Sequence, residues 1–404
     1  MTVAMRAIVI AGGSIAGLSA ARELRRAGFD GSIEIIDQDP HAPYRRPAVS
    51  KAILTAHNEP ADIAIGVPAE LDVVCHPGVS LRALDARRKV LRGDAGGTSV
   101  RFGYDGLIIA TGSTARPWRP PAGLGGVHSL RSVADGMALR AALAAAGHAV
   151  IVGGGFIGLE VASAARSMGV NVTVVEAAPV PLGHVLGAGL GEHLARVHRD
   201  HGVQMRCGVT VTGWHGRERA ESVVLSDGTE IEAGLVLACV GSRPAVGWLQ
   251  GSGLDLRDGI RCDHRCVAAG VDRVVAAGDV ASWPNPCFGT RMRVEHWANA
   301  IEQGTFAACA LLGQAAPAGF SSVPYFWSEQ YGTRLQSVGV CAGHDETLLL
   351  RHSGQAMVVG YGRAGRVIGV AGYDAGTAVL GYRKHIEQGT SLAALAERAP
   401  VSTP

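Results

Sequence analysis

The chain has 404 residues, 47% hydrophobic and 18% charged, with a net charge of +2. That length allows two or three domains with ample core, and the composition excludes a disordered or fibrous chain. The near-neutral charge offers no global attraction to nucleic acid or a membrane. Eight scattered cysteines without a C-x-x-C spacing favour a reducing, cytoplasmic setting over a disulfide scaffold.

In chain order, the first predicted strand covers residues 6–11 and runs into the turn Gly12-Gly13-Ser14-Ile15-Ala16-Gly17. A helix to about Ala27 follows, with Leu18, Ala21 and Leu24 on one side and Arg22, Arg25 and Arg26 on the other. Gly28 ends it, and Ser32–Asp37 reads as the next strand. Leu107–Gly112 is a short buried strand entering a glycine turn, and the Pro- and Gly-rich stretch 116–126 is a domain boundary. A second strand–turn–helix begins near His148, with Gly153-Gly154-Gly155-Phe156-Ile157-Gly158 as its turn. Its helix runs from Gly158 to about Met168, and the strand Val172–Glu176 follows. Leu235–Val240 and Val274–Ala277 are further strands, ending in Gly241 and in Gly278-Asp279, and Val294–Leu312 reads as one helix. From Phe320 onward the pattern becomes short alternating strands, among them Ala356–Tyr361 and Val367–Val370, with a last helix at Leu392–Arg398. The apolar N-terminal run and the uncharged stretch Ala141–Leu159 imitate an export signal and a membrane span. Each holds a glycine turn, so a βαβ start explains both better.

Two glycine fingerprints in strand–turn–helix context point to two dinucleotides, a flavin and a nicotinamide. In the second, Gly153 permits the tight turn, Gly155 lets the backbone approach a pyrophosphate, and Gly158 lets helix and strand pack closely. The helix N-terminus offers free N–H groups to the phosphates. Glu176, at the end of the next strand, is placed to hold the ribose hydroxyls and to repel a 2′-phosphate, which predicts NADH. The first fingerprint has Ser14 at the middle glycine position, where its Cβ crowds a pyrophosphate and its hydroxyl can donate to one. Asp279 follows a buried strand and a glycine, the place where ligands of open α/β sheets bind. It reads either as an acceptor for a ribityl hydroxyl or as an N-cap. Cys262 and Cys266 form at most half a metal site, with no second pair of matching spacing, so no metal is expected.

The first fingerprint, PYRRPAVSK (43–51), ATGS (110–113), GGGFIGLE (153–160), VVAAGD (274–279), RVEHWANAIEQG (293–304) and PYFWSEQY (324–331) stand in an order that carries a resemblance. Over nearly its full length the chain resembles the NADH-dependent, FAD-containing ferredoxin and rubredoxin reductases. That family includes putidaredoxin reductase and the reductases of ring-hydroxylating dioxygenases. The resemblance implies an α/β fold with two Rossmann-like dinucleotide-binding domains, for FAD and NAD, and a C-terminal α+β domain. The expected boundaries are 1–115 and 245–320 for the FAD domain, 116–244 for the NAD domain, and 321–404 for the C-terminal domain. Electrons are expected to pass from NADH through FAD to a [2Fe–2S] ferredoxin, or a rubredoxin, that serves an oxygenase. The expected protein is a monomer or homodimer with no nucleic-acid or membrane partner.

Carried over by position, the resemblance implies Gly12, Ser14, Gly17, Lys51, Ala110, Thr111, Gly112, Arg131, Asp279 and Trp297 around FAD, with Asp37 or Asp39 on its adenosine ribose. Asp37 is favoured for its place at the strand end. Gly153, Gly155, Ile157, Gly158, Glu176 and Gly241 are implied for NAD. Lys51 is implied beside the flavin ring and Glu160 near the nicotinamide, the two as an ion pair, with Trp327 close to both rings or else simply a core tryptophan. Only three of the 37 Lys+Arg residues are lysines, Lys51 among them. A disulfide reductase or NADH oxidase of the same superfamily would need a redox cysteine early in the chain, where Cys75 stands alone outside any motif. An NADH-sensing flavoprotein is the reading from another functional class.

Overall fold

The computed structural model describes residues 5–118, 120 and 124–396. Five helices of more than ten residues occur among them: α1 Ile15–Arg26, α2 Val133–Ala145, α3 Phe156–Ser167, α4 Gly183–Asp200 and α5 Trp297–Leu311. The chain divides into two compact units. One comprises Met1–Arg45, Ile63–Thr114 and Ser242–Pro324, the other Arg46–Asp62, Ala115–Gly241 and Tyr325–Pro404.

The first unit is built on a five-stranded parallel sheet, in the order Val274–Ala276, Gly106–Ile109, Ala7–Ala11, Ser32–Asp37, Val73–Pro77. The central strand is a continuous apolar run because both its faces are covered: Ile8, Val9 and Ile10 are at most 1% exposed. Helices α1 and α5 pack together so closely that a Cβ on Gly304 would lie 2.3 Å from the Ala16 carbonyl oxygen. An antiparallel meander, Val79–Asp85, Val90–Ala95 and Thr98–Gly103, completes the unit.

The second unit repeats this plan. Its parallel sheet has the order Val203–Cys207, Asn171–Glu176, His148–Val152, Leu235–Ala238, Val127–His128. A meander of Val211–His215, Ser222–Leu225 and Glu230–Glu232 follows its outer strand. In both units the central strand has its successor on one side and a later strand on the other. A crevice therefore opens at their C-terminal ends, where ligands of such sheets bind. A further five-stranded sheet is antiparallel, in the order Tyr325–Gln330, Thr333–Gly339, Arg366–Tyr373, Ala356–Arg363, Glu346–Ser353.

Three helix starts differ from the sequence reading. Helix α1 begins at Ile15, inside the expected turn 12–17, with Ser14 as its extended N-cap. Helix α3 begins at Phe156 rather than Gly158, because Gly155 is its extended N-cap (φ −79°, ψ −179°). Helix α5 begins at Trp297 rather than Val294. His296 is extended at φ −114°, ψ 140°, and the Glu295 carboxylate just before it is taken up by Ser113, Ser242 and Arg293. In the stretch 116–126, residues 119 and 121–123 lie outside the described residues, while Trp118 and Leu124 pack with Val127 and Trp214. Of the final helix, Leu392–Ala396 is described and 397–398 are not. Among the described residues, no helix is long and apolar enough to cross a membrane.

Candidate functional site

In the second unit the loop after His148–Val152 is shaped by three glycines with three different needs. Gly153 has φ +108°, and a Cβ there would lie 2.3 Å from the Cys239 carbonyl oxygen. A Cβ on Gly158 would lie 2.1 Å from the Gly153 carbonyl oxygen. A Cβ on Gly155 would meet nothing within 4 Å. The fold itself therefore requires Gly153 and Gly158, whereas at Gly155 the backbone faces open space, as close approach of a pyrophosphate demands. Glu176 closes the loop: its Oε2 accepts from Gly154 N at 2.6 Å and its Oε1 from Ala178 N at 2.7 Å. Two amide bonds fix the carboxylate and leave it acceptor capacity for ribose hydroxyls. Ile157, on the first turn of α3, is 39% exposed, an apolar surface suited to a stacked ring. Gly241, at φ +99°, accepts from Arg116 N at 2.9 Å.

The first unit carries the same construction nearly atom for atom. Gly12 has φ +109°, a Cβ there would lie 2.2 Å from the Ala110 carbonyl oxygen, and a Cβ on Gly17 would lie 2.0 Å from the Gly12 carbonyl oxygen. Asp37 stands where Glu176 does, accepting from Gly13 N at 2.6 Å and Asp39 N at 2.8 Å. Asp39 is engaged instead with Tyr44 and His41. Ser14 occupies the Gly155 position with an ordinary extended backbone (φ −77°, ψ −167°), so it adds a hydroxymethyl group without strain. Ala110 N donates to Ala11 O at 2.7 Å, Thr111 Oγ1 to Ala245 O at 3.1 Å, and Ala245 N to Gly112 O at 2.9 Å. Asp279 accepts from Ser113 Oγ at 3.0 Å and lies in the short turn after Val274–Ala276. Trp297 opens α5. Seven of these residues thus lie at the C-terminal ends of the parallel strands or in the turns that follow them, with Gly17 in the first turn of α1 and Trp297 at the start of α5. Sequence reasoning missed Glu295, held there by Ser113 and Ser242 at 3.1 and 2.6 Å.

Lys51, Arg131 and Trp327 belong to the second unit. Lys51 Nζ pairs with Glu160 Oε1 at 2.8 Å and donates to Pro47 O at 3.0 Å. The pair is well shielded, with side-chain exposures of 17% and 6%. Ser50 and Ser328 also donate to Glu160, the latter at 2.7 Å. The carboxylate thus has three protein donors, which is what a buried charge requires. Neither serine was singled out from sequence. The available sign was polar Ser328 and Gln330 alternating with half-buried Trp327, an inward polar face on a strand. Arg131 N donates to Asp135 Oδ2 at 3.0 Å beside the Ser132–Asp135 capping box of α2. Trp327 stacks with Tyr325 at 5.9 Å.

Residues 6–304 match the family described as pyridine nucleotide-disulphide oxidoreductase, and residues 325–400 match the reductase C-terminal domain. The chain belongs to the pyridine nucleotide-disulphide oxidoreductase family. Rhodocoxin reductase of Rhodococcus erythropolis is 36% identical over 347 residues, covering 84% of this chain and 79% of that one. The ferredoxin–NAD(+) reductase subunit of the benzene 1,2-dioxygenase system of Pseudomonas putida is 35% identical over 85% of this chain and 82% of its own. The reductase in the covalent putidaredoxin reductase–putidaredoxin complex superposes with a TM-score of 0.89 at 27% identity, over 97% of this chain and 95% of that one. All eight cysteines are free, and Cys75 lies exposed on an edge strand with its thiol pushed up by burial. Cys262 and Cys266 are core residues at 1% and 0% exposure.

Proposed function

We propose that this chain is an FAD-dependent NADH:ferredoxin oxidoreductase, passing electrons from NADH through FAD to a [2Fe–2S] ferredoxin that serves an oxygenase. The observation that carries the reading is the pair of matched loops, each closed by a carboxylate fixed by two amide bonds. In the domain division that goes with it, 1–115 and 245–320 hold FAD, 116–244 hold NAD, and 321–404 form the C-terminal domain. The cytoplasm is the proposed compartment, which eight free cysteines suit.

Bound FAD would supply the exchange between a two-electron hydride donor and a one-electron acceptor. In the first unit the residues proposed to hold it are Gly12, Ser14, Gly17, Asp37, Ala110, Thr111, Gly112, Asp279 and Trp297. Asp37 takes the ribose role, since it stands where Glu176 does and Asp39 is otherwise engaged. Gly153, Gly155, Ile157, Gly158 and Gly241 accept the nicotinamide dinucleotide. Glu176 selects it: a 2′-phosphate would face a fixed carboxylate, and about 3 kcal/mol of repulsion is already about a hundredfold in affinity. Lys51 presents a cation and Glu160 an anion at fixed positions, so charge in the site is met without reorganisation. No side-chain nucleophile is needed.

The test is a spectrum of the purified protein before and after NADH, followed by addition of [2Fe–2S] ferredoxins. A yellow protein, bleached by NADH far better than by NADPH and reoxidised by a ferredoxin, is expected. A colourless protein that takes up no added FAD overturns the reading. Cys75→Ser is expected to retain NADH-dependent reduction within about twofold. Lost turnover with flavin still bound would restore a thiol mechanism.

A further inference from the structure

Beyond Ser328 the polar contacts of Glu160 do not stop. Ser328 Oγ accepts from Gln330 Nε2 at 3.2 Å, Gln330 Oε1 meets His198 Nε2 at 3.0 Å, and His198 Nδ1 meets the Tyr331 hydroxyl at 2.8 Å. Tyr331 in turn stacks on His201, with centroids 3.7 Å apart. Ser328 and His198 are fully buried, and Gln330 is 1% exposed. The strand and the turn after it contact α3 along one stripe: Phe326 on Phe156 at 4.1 Å, Ser328 on Glu160, and Tyr331 N on Ser163 Oγ at 2.7 Å. Phe156, Glu160 and Ser163 are i, i+4 and i+7 of that helix, so helix and strand periods bring Ser328 against Glu160 in a buried interface.

The protonation states leave one direction. Burial pushes the Tyr331 phenol up and His198 down to about 4, so one is a donor and the other neutral at pH 7. The Glu160 carboxylate accepts only, so the Ser328 proton points at it, and Gln330 must then present its NH2 to Ser328 and its carbonyl to His198. His198 carries its proton on Nε2 and accepts from Tyr331 on Nδ1. Every donor along the chain points toward Glu160. Such a chain is not a proton wire: an amide passes a proton only through its imidic acid form, so Gln330 interrupts transfer. A chain of aligned dipoles, each strengthening the next, orients a carboxylate instead. The other groups on Glu160 are Ser50, Lys51 and the thiol of Cys239, which burial and the Glu160 charge push up to about 12.

We infer that Ser328, Gln330, His198 and Tyr331 are positioning residues that hold Glu160 in the orientation needed toward the nicotinamide. This rests on the reductase reading above. The test uses FAD-loaded protein in four forms: wild type, Ser328→Ala, Ser328→Thr and Gln330→Met. Expected are slowing of flavin bleaching at saturating NADH by about tenfold in the Ala and Met variants, with half-saturating NADH within about twofold, and recovery in the Thr variant. Independently of turnover, 15N NMR should show His198 as the single Nε2–H tautomer in wild type and as a mixture in Gln330→Met. Unchanged bleaching in Ser328→Ala and Gln330→Met overturns the inference. So does an Nδ1–H tautomer in wild type, or a loss that follows only lowered melting temperature and NADH affinity. If wild type binds FAD and NADH does not bleach it, the reductase reading itself fails and this inference falls with it.

Discussion

Gly155 and Gly158 are three residues apart and have opposite reasons to be glycine. Gly158→Ala puts a Cβ 2.1 Å from a backbone oxygen, so the protein should lose about 1–3 kcal/mol, read by urea unfolding. Gly155→Ala meets no protein atom within 4 Å, so the stability of the ligand-free protein should shift by no more than about 1 kcal/mol, the gain in chain entropy opposing a poorer N-cap, while KM for NADH rises about tenfold or more. A larger stability loss at Gly155 would mean that it serves the fold. Ser14 is the natural counterpart of that experiment in the other loop. Ser14→Gly should cost about 0.5–1 kcal/mol in backbone entropy and tighten FAD by about threefold, followed by flavin fluorescence. Weaker FAD binding would make the hydroxyl a phosphate donor rather than an obstruction.

Helices α1 and α5 depend on small residues where they touch. Gly304 opposes the Ala16 carbonyl, and Gln303 Oε1 accepts from Gly278 N at 2.9 Å, which ties α5 to the turn bearing Asp279. Gly304→Ala should force the helices apart at a cost of about 2 kcal/mol, measured by urea unfolding. Because the same helix carries Trp297 and anchors the Asp279 turn, FAD affinity should fall with it. A variant as stable as wild type would show that the crossing can relax. The C-terminal antiparallel sheet is a different kind of element. Its first strand presents Ser328 and Gln330 inward where a strand of this burial would ordinarily place Val or Ile.

The whole protein should be acid-sensitive, and His198 accounts for part of this. Its pKa is about 4 in the fold, because burial disfavours the imidazolium, against about 6.5 in the unfolded chain. Between those values the unfolded chain binds a proton that the native state does not. Stability is therefore complete above about pH 6.5 and lost as pH falls toward 4. At pH 5 the loss from this one residue is about 2 kcal/mol. Urea unfolding at pH 7.5 and 5 measures the total, and 15N NMR should find the His198 ring unprotonated at pH 5. A ring that titrates near 6.5 would remove this account.

Both phosphate loops, the buried strands that flank them and the short alternating C-terminal strands were legible in the chain itself, because each rests on neighbours a few residues apart. β-branched runs make buried strands, and glycine alone accepts the φ near +108° that Gly12 and Gly153 share. The duplication looked loose in sequence, since Ser14 and Gly155 differ in side chain while sharing a backbone conformation. Partner choice among polar groups was not legible. Ser50 and Ser328 reach Glu160 across separations of 110 and 168 residues, and Asp37 is held by two backbone amides where Asp39 is held by Tyr44 and His41. Periodicity says which face of a strand or helix is buried, not what lies opposite. Only when burial pressed the strand Tyr325–Gln330 onto α3 and α4 did Ser328 meet the Glu160 carboxylate, with Gln330 and His198 linked in turn behind it. A buried carboxylate needs such donors, because burial removes its exposure to solvent.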